Sequence, residues 1–513
     1  PDKRWSNLRD WHELYCAGHL IEAAVAHYEA TGSRVFLDAM CRYADYIDRT
    51  FGRGKGQKRG YCGHQEIELA LIKLYRATGQ RRYLRLAAYF LEERGRKPHY
   101  YDQEALARGD DPKKWYFKTY EYLQAHVPIQ QQTDAVGHAV RCLYMLAAAA
   151  DLALETGDAR WRATAERLWR SICHRRMVVT GGAGTDPRNE GFSFDYDLPD
   201  ESAYAETCAA IANVFFNHRM LQLTADSSYA DVIERALYNG VLSGISLDGT
   251  LFFYSNPLAA HDSAPRANRT ADTTTWDGLT THRKGWFGCA CCPPNIARLI
   301  ASVGEYFYAT DAAGIYVHLY GAGTATITRG DGAVTLTQRT KYPWNGRIQL
   351  TVTPDRPRRF TLFLRIPDWC DDATLSVAGR QVHLGREVRI VRGYAAITRE
   401  WRRGDAVVLE LAMPVKRVYA HPAARQLAGR VALQRGPIVY CLETVDNVTN
   451  TLDQIAVPRG AALRAVFKPK LLGGVVVIEG RGQRVVEDRG PLYRGSPPAL
   501  KPVRFTAVPY CVW

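Results

Sequence analysis

Residues 137–157 read GHAVRCLYMLAAAADLALETG, and the phrase recurs: GHLIEAAVAHYEATG fills 18–32 and GHQEIELALIKLYRATG fills 63–79. Each copy opens on Gly-His, carries apolar residues at helical spacing and closes on Thr-Gly, the C-terminal breaker expected of a helix. A second, more amphipathic helix follows each one, from Arg34 to Arg49, from Arg81 to Glu93 and from Ala159 to Ile172. A fourth inner helix is expected from Ala205 to Leu223, with its partner from Tyr229 to Asn239. An inner helix plus an outer helix, repeated, predicts an α/α toroid. Six such pairs would close an (α/α)6 barrel, and four pairs and part of a fifth are legible. Parallel inner helices would converge at one mouth, which would then gather His19, His64, His138 and the Glu206/Cys208 region. Packing within the repeat is the alternative use of the three histidines.

From about Ile315 the texture changes. Residues 314–320, 347–353, 360–366, 406–412 and 474–479 alternate or run apolar over strand lengths, rich in β-branched and aromatic residues and separated by Pro, Gly and Asp. This predicts an antiparallel β-sandwich, and a second one beyond a boundary near 425. The expected architecture is therefore multidomain α and β: a catalytic (α/α)6 barrel over 1–308, then β-sandwich domains over 309–425 and 426–513. A chain of 513 residues exceeds what one core supports, which agrees with two or three domains.

Composition excludes several classes. The net charge of +14 comes from 67 Lys+Arg against 53 Asp+Glu, and the excess is scattered Arg without a basic run interleaved with aromatics, so nucleic-acid binding is not expected. No apolar stretch reaches the roughly 20 residues of a membrane span, and no signal peptide is visible, although the chain opens at Pro1 rather than Met. The 12 Cys do not form a disulfide scaffold, because Cys289, Cys291 and Cys292 crowd together. Thiols packed this way suit a metal or a reduced compartment, so a cytoplasmic setting is expected.

The strongest local signal is Gly288-Cys289-Ala290-Cys291-Cys292-Pro293-Pro294-Asn295. Thiolate is the nucleophilic and metal-binding form of cysteine. Pro293-Pro294 suits a helix start, and a helix from Asn295 to Tyr306 would present its positive end to these cysteines. A bound zinc ion would deprotonate them outright. Glu206 and Cys208 offer the other half of a four-coordinate, thiolate-rich set, provided they sit at a helix N-terminus, since i and i+2 diverge within a regular helix. A structural zinc or plain buried thiols is the competing reading. A Gly-rich stretch, Thr180 to Gly184, leads to Asn189-Glu190-Gly191-Phe192. A carboxylate beside Phe192, Phe194 and Tyr196 can have its pKa raised, as a general acid requires. Asp195, Asp197, Asp200 and Glu201 are nearby, and pattern does not choose among the five.

Taken together, His64 to Leu71, Val136 to Arg141, Phe194 to Pro199, Tyr204-Ala-Glu-Thr-Cys208, Gly288 to Asn295, Leu364-Arg-Ile-Pro-Asp-Trp369 and Gln434 to Tyr440 resemble glycoside hydrolase family 127 along nearly the whole chain. The resemblance implies a retaining exo-hydrolase that removes terminal β-L-arabinofuranosyl units from an oligosaccharide. It implies zinc held by Glu206, Cys208, Cys291 and Cys292, with Cys291 also the nucleophile and Glu190 the acid/base. Sugar contacts would fall on His19, His64, His138 and Tyr254. Two departures stand out: Cys62 occupies a position where Pro is expected, and the chain begins later than members whose first β segment joins the sandwich. Neighbouring families on the same scaffold cleave other pectic sugars. One alternative is a two-carboxylate glycosidase using Glu190 and Asp197 beside a structural zinc. Another is a carbohydrate-binding or scaffold protein without turnover. No membrane or nucleic-acid partner is expected, and a homodimer is left open.

Overall fold

The computed structural model describes residues 3–260, 282–330, 332–447, 452–486 and 490–513, which fall into two units. The first, residues 3–178, 182–225 and 257–260, is helical. Its helices are α1 (Glu13–Thr31), α2 (Val35–Thr50), α3 (Ile67–Thr78), α4 (Arg81–Glu93), α5 (Tyr100–Ala107), α6 (Ala139–Thr156), α7 (Ala159–Arg175) and α8 (Thr207–Thr224). α6 is buried on every side from Ala139 to Ala153, and α8 is buried nearly as fully, as befits helices apolar all round. α2 buries one stripe, Leu37, Cys41, Ala44 and Ile47, and leaves its other faces to solvent. α1 packs on α3, α3 on α6 and α6 on α8, while α2, α4 and α7 back α1, α3 and α6 respectively. For these three pairs the inner and outer assignment of the repeat is what the structure contains.

The closing glycines behave as the sequence predicts. Gly32, Gly79 and Gly157 adopt left-handed φ of 73°, 70° and 69°, and their amides bond back to Tyr28, Tyr75 and Ala153. The opening Gly-His pairs are less uniform than expected. Gly63-His64 precedes α3 and Gly137-His138 precedes α6, but Gly18-His19 lies inside α1, which starts at Glu13. Leu14 and Ala17 are buried, so the helix extends upstream over its own apolar residues. Gly18 is a packing device instead: a Cβ there would lie 2.7 Å from Glu66 Cγ and 2.9 Å from the Ile67 amide at the start of α3.

The second unit holds α9 (Ser227–Arg235), a π-turn over Ala236–Val241, α10 (Cys292–Ser302) and three sheets. A six-stranded sheet runs in the order 380–382, 373–377, 405–411, 347–354, 332–340, 323–329. A five-stranded sheet runs 389–391, 394–401, 358–365, 314–317, 308–310. Val334, Leu336, Ile348 and Leu350 of the first share one core with Leu362, Leu364, Ile397 and Trp401 of the second. The seven-stranded third sheet starts at Val415–Val418 and has its own core around Leu433, Ile438, Ile478 and Phe505. The strands are not all antiparallel as expected: Gly314–Val317 pairs parallel with Arg358–Arg365. The chain leaves Val317, builds three strands of the other sheet and re-enters beside its starting strand in the same direction, a crossover that local periodicity does not encode. Among the described residues no helix is long and apolar enough to cross a membrane.

The Leu364-to-Trp369 motif is explained within this unit. Arg365 is fully buried and donates to Asp231 and Glu234 of α9 at 2.5 Å each, and Trp369 Nε1 donates to Glu234 at 3.0 Å. The motif is an internal ion-pair anchor.

Candidate active site

Glu190 sits on a short ladder between β1 (Gly137–His138) and β2 (Gly191–Phe192), in which His138 faces Gly191. The strands approach so closely that a Cβ on Gly191 would lie 1.7 Å from the Gly137 carbonyl, so only glycine fits. The turn into β2 places Glu190 itself at φ 53°, a left-handed conformation that a non-glycine residue holds at a cost and that is common at functional sites. The Ala139 amide, opening α6, holds the Glu190 carbonyl at 3.1 Å.

Three side chains converge on the carboxylate. Tyr122 donates to Oε1 at 2.9 Å, Tyr204 donates to Oε2 at 3.1 Å, and His138 Nε2 lies 3.5 Å from Oε2. Tyr122 is itself clamped. Phe117 stacks on it with centroids 3.6 Å apart, the Arg141 guanidinium carbon lies 4.7 Å from its centroid, and Arg141 bonds the Gly63 carbonyl at 3.0 Å. About a third of the Glu190 side chain stays open to solvent. Burial pushes the pKa of this carboxyl upward, but the hydrogen bonds from His138 and Tyr122 and the charge of Arg141 outweigh it. The group is held below the usual carboxylate range. The expected upward shift is therefore reversed at rest, because His138, Tyr122 and Arg141, none of them next to Glu190 in sequence, favour the ionised form more than burial disfavours it. Burial lowers the affinity of His138 for a second proton, and that of His64 falls further through burial, Arg141 and His138. Burial thus favours the neutral form of both imidazoles.

The three predicted histidines form one row of rings. His19 meets Tyr15 at 4.4 Å, Tyr15 meets His64 at 4.5 Å, and His64 meets His138 at 5.4 Å between centroids. His19 Nδ1 lies 3.3 Å from Glu66, at the start of α3. Sequence reasoning missed Tyr15, Glu66, Tyr122, Arg141 and Tyr204. Glu66, Arg141 and Tyr204 lie within the quoted motifs and could have been singled out, whereas Tyr122 has no local signature. Of the competing carboxylates, Asp195 is committed to Arg175 at 2.5 Å and Arg176 at 2.8 Å.

Cys291 caps α10, Cys292 is its first residue, and Pro293 lies in the first turn, so both thiols meet the positive end of the helix dipole. The Cys291 sulfur lies 3.2 Å from the Tyr254 hydroxyl and 3.8 Å from the Cys292 sulfur. Cys289, exposed, has its sulfur 3.9 Å from the same hydroxyl. Glu206 caps α8 and Cys208 lies two residues in, so both belong to the helix start, where divergence along a regular helix does not apply. The predicted ligands Glu206, Cys208, Cys291 and Cys292 form a group whose ligand atoms lie within 4.8 Å of one another and could hold a metal ion. Three thiols and one carboxylate, three of the four residues buried, are the donor set that thiophilic zinc favours over hard cations. All twelve cysteines are free of disulfides, which leaves these thiols available. His138, Glu190 and Glu206 form a second such group within the same reach, so Glu206 stands beside the acid/base candidate.

Models of the β-L-arabinofuranosidase GH127 catalytic domain, the GH127 middle domain and the family 127 C-terminal domain match residues 1–305, 314–413 and 415–513. The chain is 39% identical to a non-reducing end β-L-arabinofuranosidase of Bifidobacterium longum subsp. longum, over 99% of this chain and 78% of that protein. A crystal structure of a GH127 β-L-arabinofuranosidase from Geobacillus stearothermophilus T6 superposes with a TM-score of 0.95 at 52% identity, covering 100% of this chain and 80% of that one. A GH127 β-arabinofuranosidase superposes with a TM-score of 0.87 at 38% identity, covering 99% and 76%.

Proposed function

This chain belongs to glycoside hydrolase family 127, and we propose that it is a retaining exo-hydrolase releasing terminal β-L-arabinofuranosyl units from oligosaccharides. Its helical part is read as a closed (α/α)6 barrel over 1–308, followed by β-sandwich domains over 309–425 and 426–513. The observation that carries the reading is the Glu206, Cys208, Cys291, Cys292 group in a family 127 catalytic domain. Zinc is the ion proposed there; bound, it would keep Cys291 ionised and share the charge on sulfur when the sulfur leaves.

The sulfur of Cys291 attacks the anomeric carbon and the glycosidic C–O bond breaks, while Glu190 gives its proton to the departing oxygen. Glu190, now a carboxylate, takes a proton from water as the water oxygen displaces the sulfur, and the sugar leaves with its anomeric configuration retained. Tyr122 and Tyr204 stabilise the carboxylate form, which suits the second step. The first step needs the acid. A sugar that displaces water and completes the burial of the carboxylate raises its proton affinity, in the direction that burial already acts. His19, His64, His138 and Tyr254 are read as sugar contacts, and a neutral imidazole, the form that burial favours for His64 and His138, can donate and accept toward hydroxyls.

Glu190→Ala tests the assignment, since it leaves the proposed metal set intact. Hydrolysis of an alkyl β-L-arabinofuranoside should fall about a hundred- to ten-thousandfold, while a nitrophenyl substrate, whose leaving group needs little protonation, should recover much of the first step. Early product anomers followed by NMR should show retention. An inverted product, or a Glu190→Ala enzyme equally active on the alkyl substrate, would favour the two-carboxylate alternative.

A further inference from the structure

We infer that Gln124 is a positioning residue for the acid/base centre, its side-chain amide holding the two segments that present Tyr122 and His138 to Glu190. The inference rests on the acid/base reading of Glu190. Tyr122 comes from a 3₁₀ turn over Tyr120–Leu123, and His138 from β1, fourteen positions beyond Gln124. Gln124 follows that turn at φ 52°, left-handed for a residue with a side chain, and is completely buried. The conformation turns its amide back across the segments on either side of it. Nε2 contacts the carbonyls of Val136 at 2.8 Å, His138 at 3.1 Å, Tyr122 at 3.3 Å and Glu121 at 3.5 Å. Four carbonyls around one nitrogen fix which end of the amide is the donor. The oxygen end accepts from Gln65 Nε2 at 3.0 Å, and Gln65 adjoins His64. One side chain therefore ties together the backbones that carry Tyr122, His138 and His64.

A buried amide with its donors and its acceptor so placed has few arrangements open to it. It transmits rigidity, and an unsatisfied version is costly. The carbonyls of Val136, Tyr122 and His138 would lose this donor together if Gln124 lost its NH₂. The Tyr122 hydroxyl and the His138 ring would then drift relative to Glu190, and a misplacement on the order of 1 Å in a catalytic constellation can cost about a hundredfold. Gln132 provides an internal control. It is a buried glutamine on the same loop, and its amide bonds the Gln124 and Val127 carbonyls at 2.9 and 3.1 Å. It supports the loop without reaching the carbonyls of Tyr122 or His138.

The readout is the ratio of kcat/KM on the nitrophenyl and methyl β-L-arabinofuranosides. Both values scale with the fraction of folded enzyme, so the ratio cancels any purely structural loss, whereas a misplaced acid penalises the poor leaving group selectively. Gln124→Met keeps the length and removes the donors. It should raise the ratio roughly tenfold or more, and Gln132→Met should leave the ratio at the wild-type value. An unchanged ratio in Gln124→Met, or an equal rise in Gln132→Met, overturns the inference. If Gln124→Met does not fold, Gln65→Met replaces it. That variant frees the acceptor end of Gln124, and it should raise the ratio in the same sense, with an unchanged ratio again decisive against. Glu190→Gln measured alongside separates the two claims. A flat ratio there sinks the acid/base reading itself, while a raised ratio with flat Gln124→Met and Gln65→Met values removes only the role of Gln124.

Discussion

The chemistry at Glu190 depends on atoms that the residue does not carry. Its left-handed φ, the hydroxyls of Tyr122 and Tyr204 and the His138 ring together fix a carboxylate that rests ionised. Gly191 is the smallest part of that arrangement and the least replaceable. Gly191→Ala would drive a methyl group into the Gly137 carbonyl and force β1 and β2 apart. Its expected signature is a loss of activity of roughly a hundredfold or more with the secondary structure, read by far-UV circular dichroism, preserved. Near-wild-type turnover would show that the ladder does not set the geometry of Glu190.

At the scale of elements, two helix starts and one buried anchor matter most. α8 and α10 present Glu206, Cys208, Cys291 and Cys292 at their N-terminal ends, where backbone N–H groups favour thiolate. Purified protein should hold about one zinc per chain. Cys208→Ala should reduce that content by elemental analysis and lower the thermal midpoint, because metal-binding energy is in part folding energy. Full zinc in Cys208→Ala would remove Cys208 from the ligand set. The second element is the anchor of Arg365 on α9. Arg365→Met leaves Asp231 and Glu234 buried against an apolar chain, and it should cost about 3–5 kcal/mol by urea titration. A change within 1 kcal/mol or so, the range of surface pairs, would mean that the two carboxylates find other partners.

Across the whole molecule the same burial has a pH signature. His64 and His138 keep folded pKa values below the ordinary histidine value of about 6.5, mainly through burial. Below that pH the unfolded chain binds protons that the folded chain refuses, so the stability present above about 6.5 drains away as the pH falls. Urea midpoints should decline from pH 7.5 to 5. His64→Gln, which removes the more strongly shifted of the two, should show a shallower decline. Parallel curves for the two proteins would mean that His64 titrates alike folded and unfolded.

Much of this was legible in one dimension. The inner and outer helices follow from apolar period and closing glycines, because helix geometry is local and its signals lie within a few residues. The cysteine cluster declares its chemistry because thiolate donors and Pro-Pro helix starts are adjacent in sequence. What the linear chain could not supply were relations between distant positions. Gly18 reads as a helix start until Glu66 and Ile67 are seen pressed against it. The parallel pairing of 314–317 with 358–365 depends on a crossover through another sheet. Five carboxylates compete between 190 and 201, and the tertiary structure surrounds Glu190 with Tyr122, 68 residues away, while binding Asp195 to arginines. The sign of the shift in Glu190's acidity was set in the same way. Sequence places Phe192, Phe194 and Tyr196 beside Glu190, but only the folded chain brings in His138, Tyr122 and Arg141, which lower the proton affinity that burial raises.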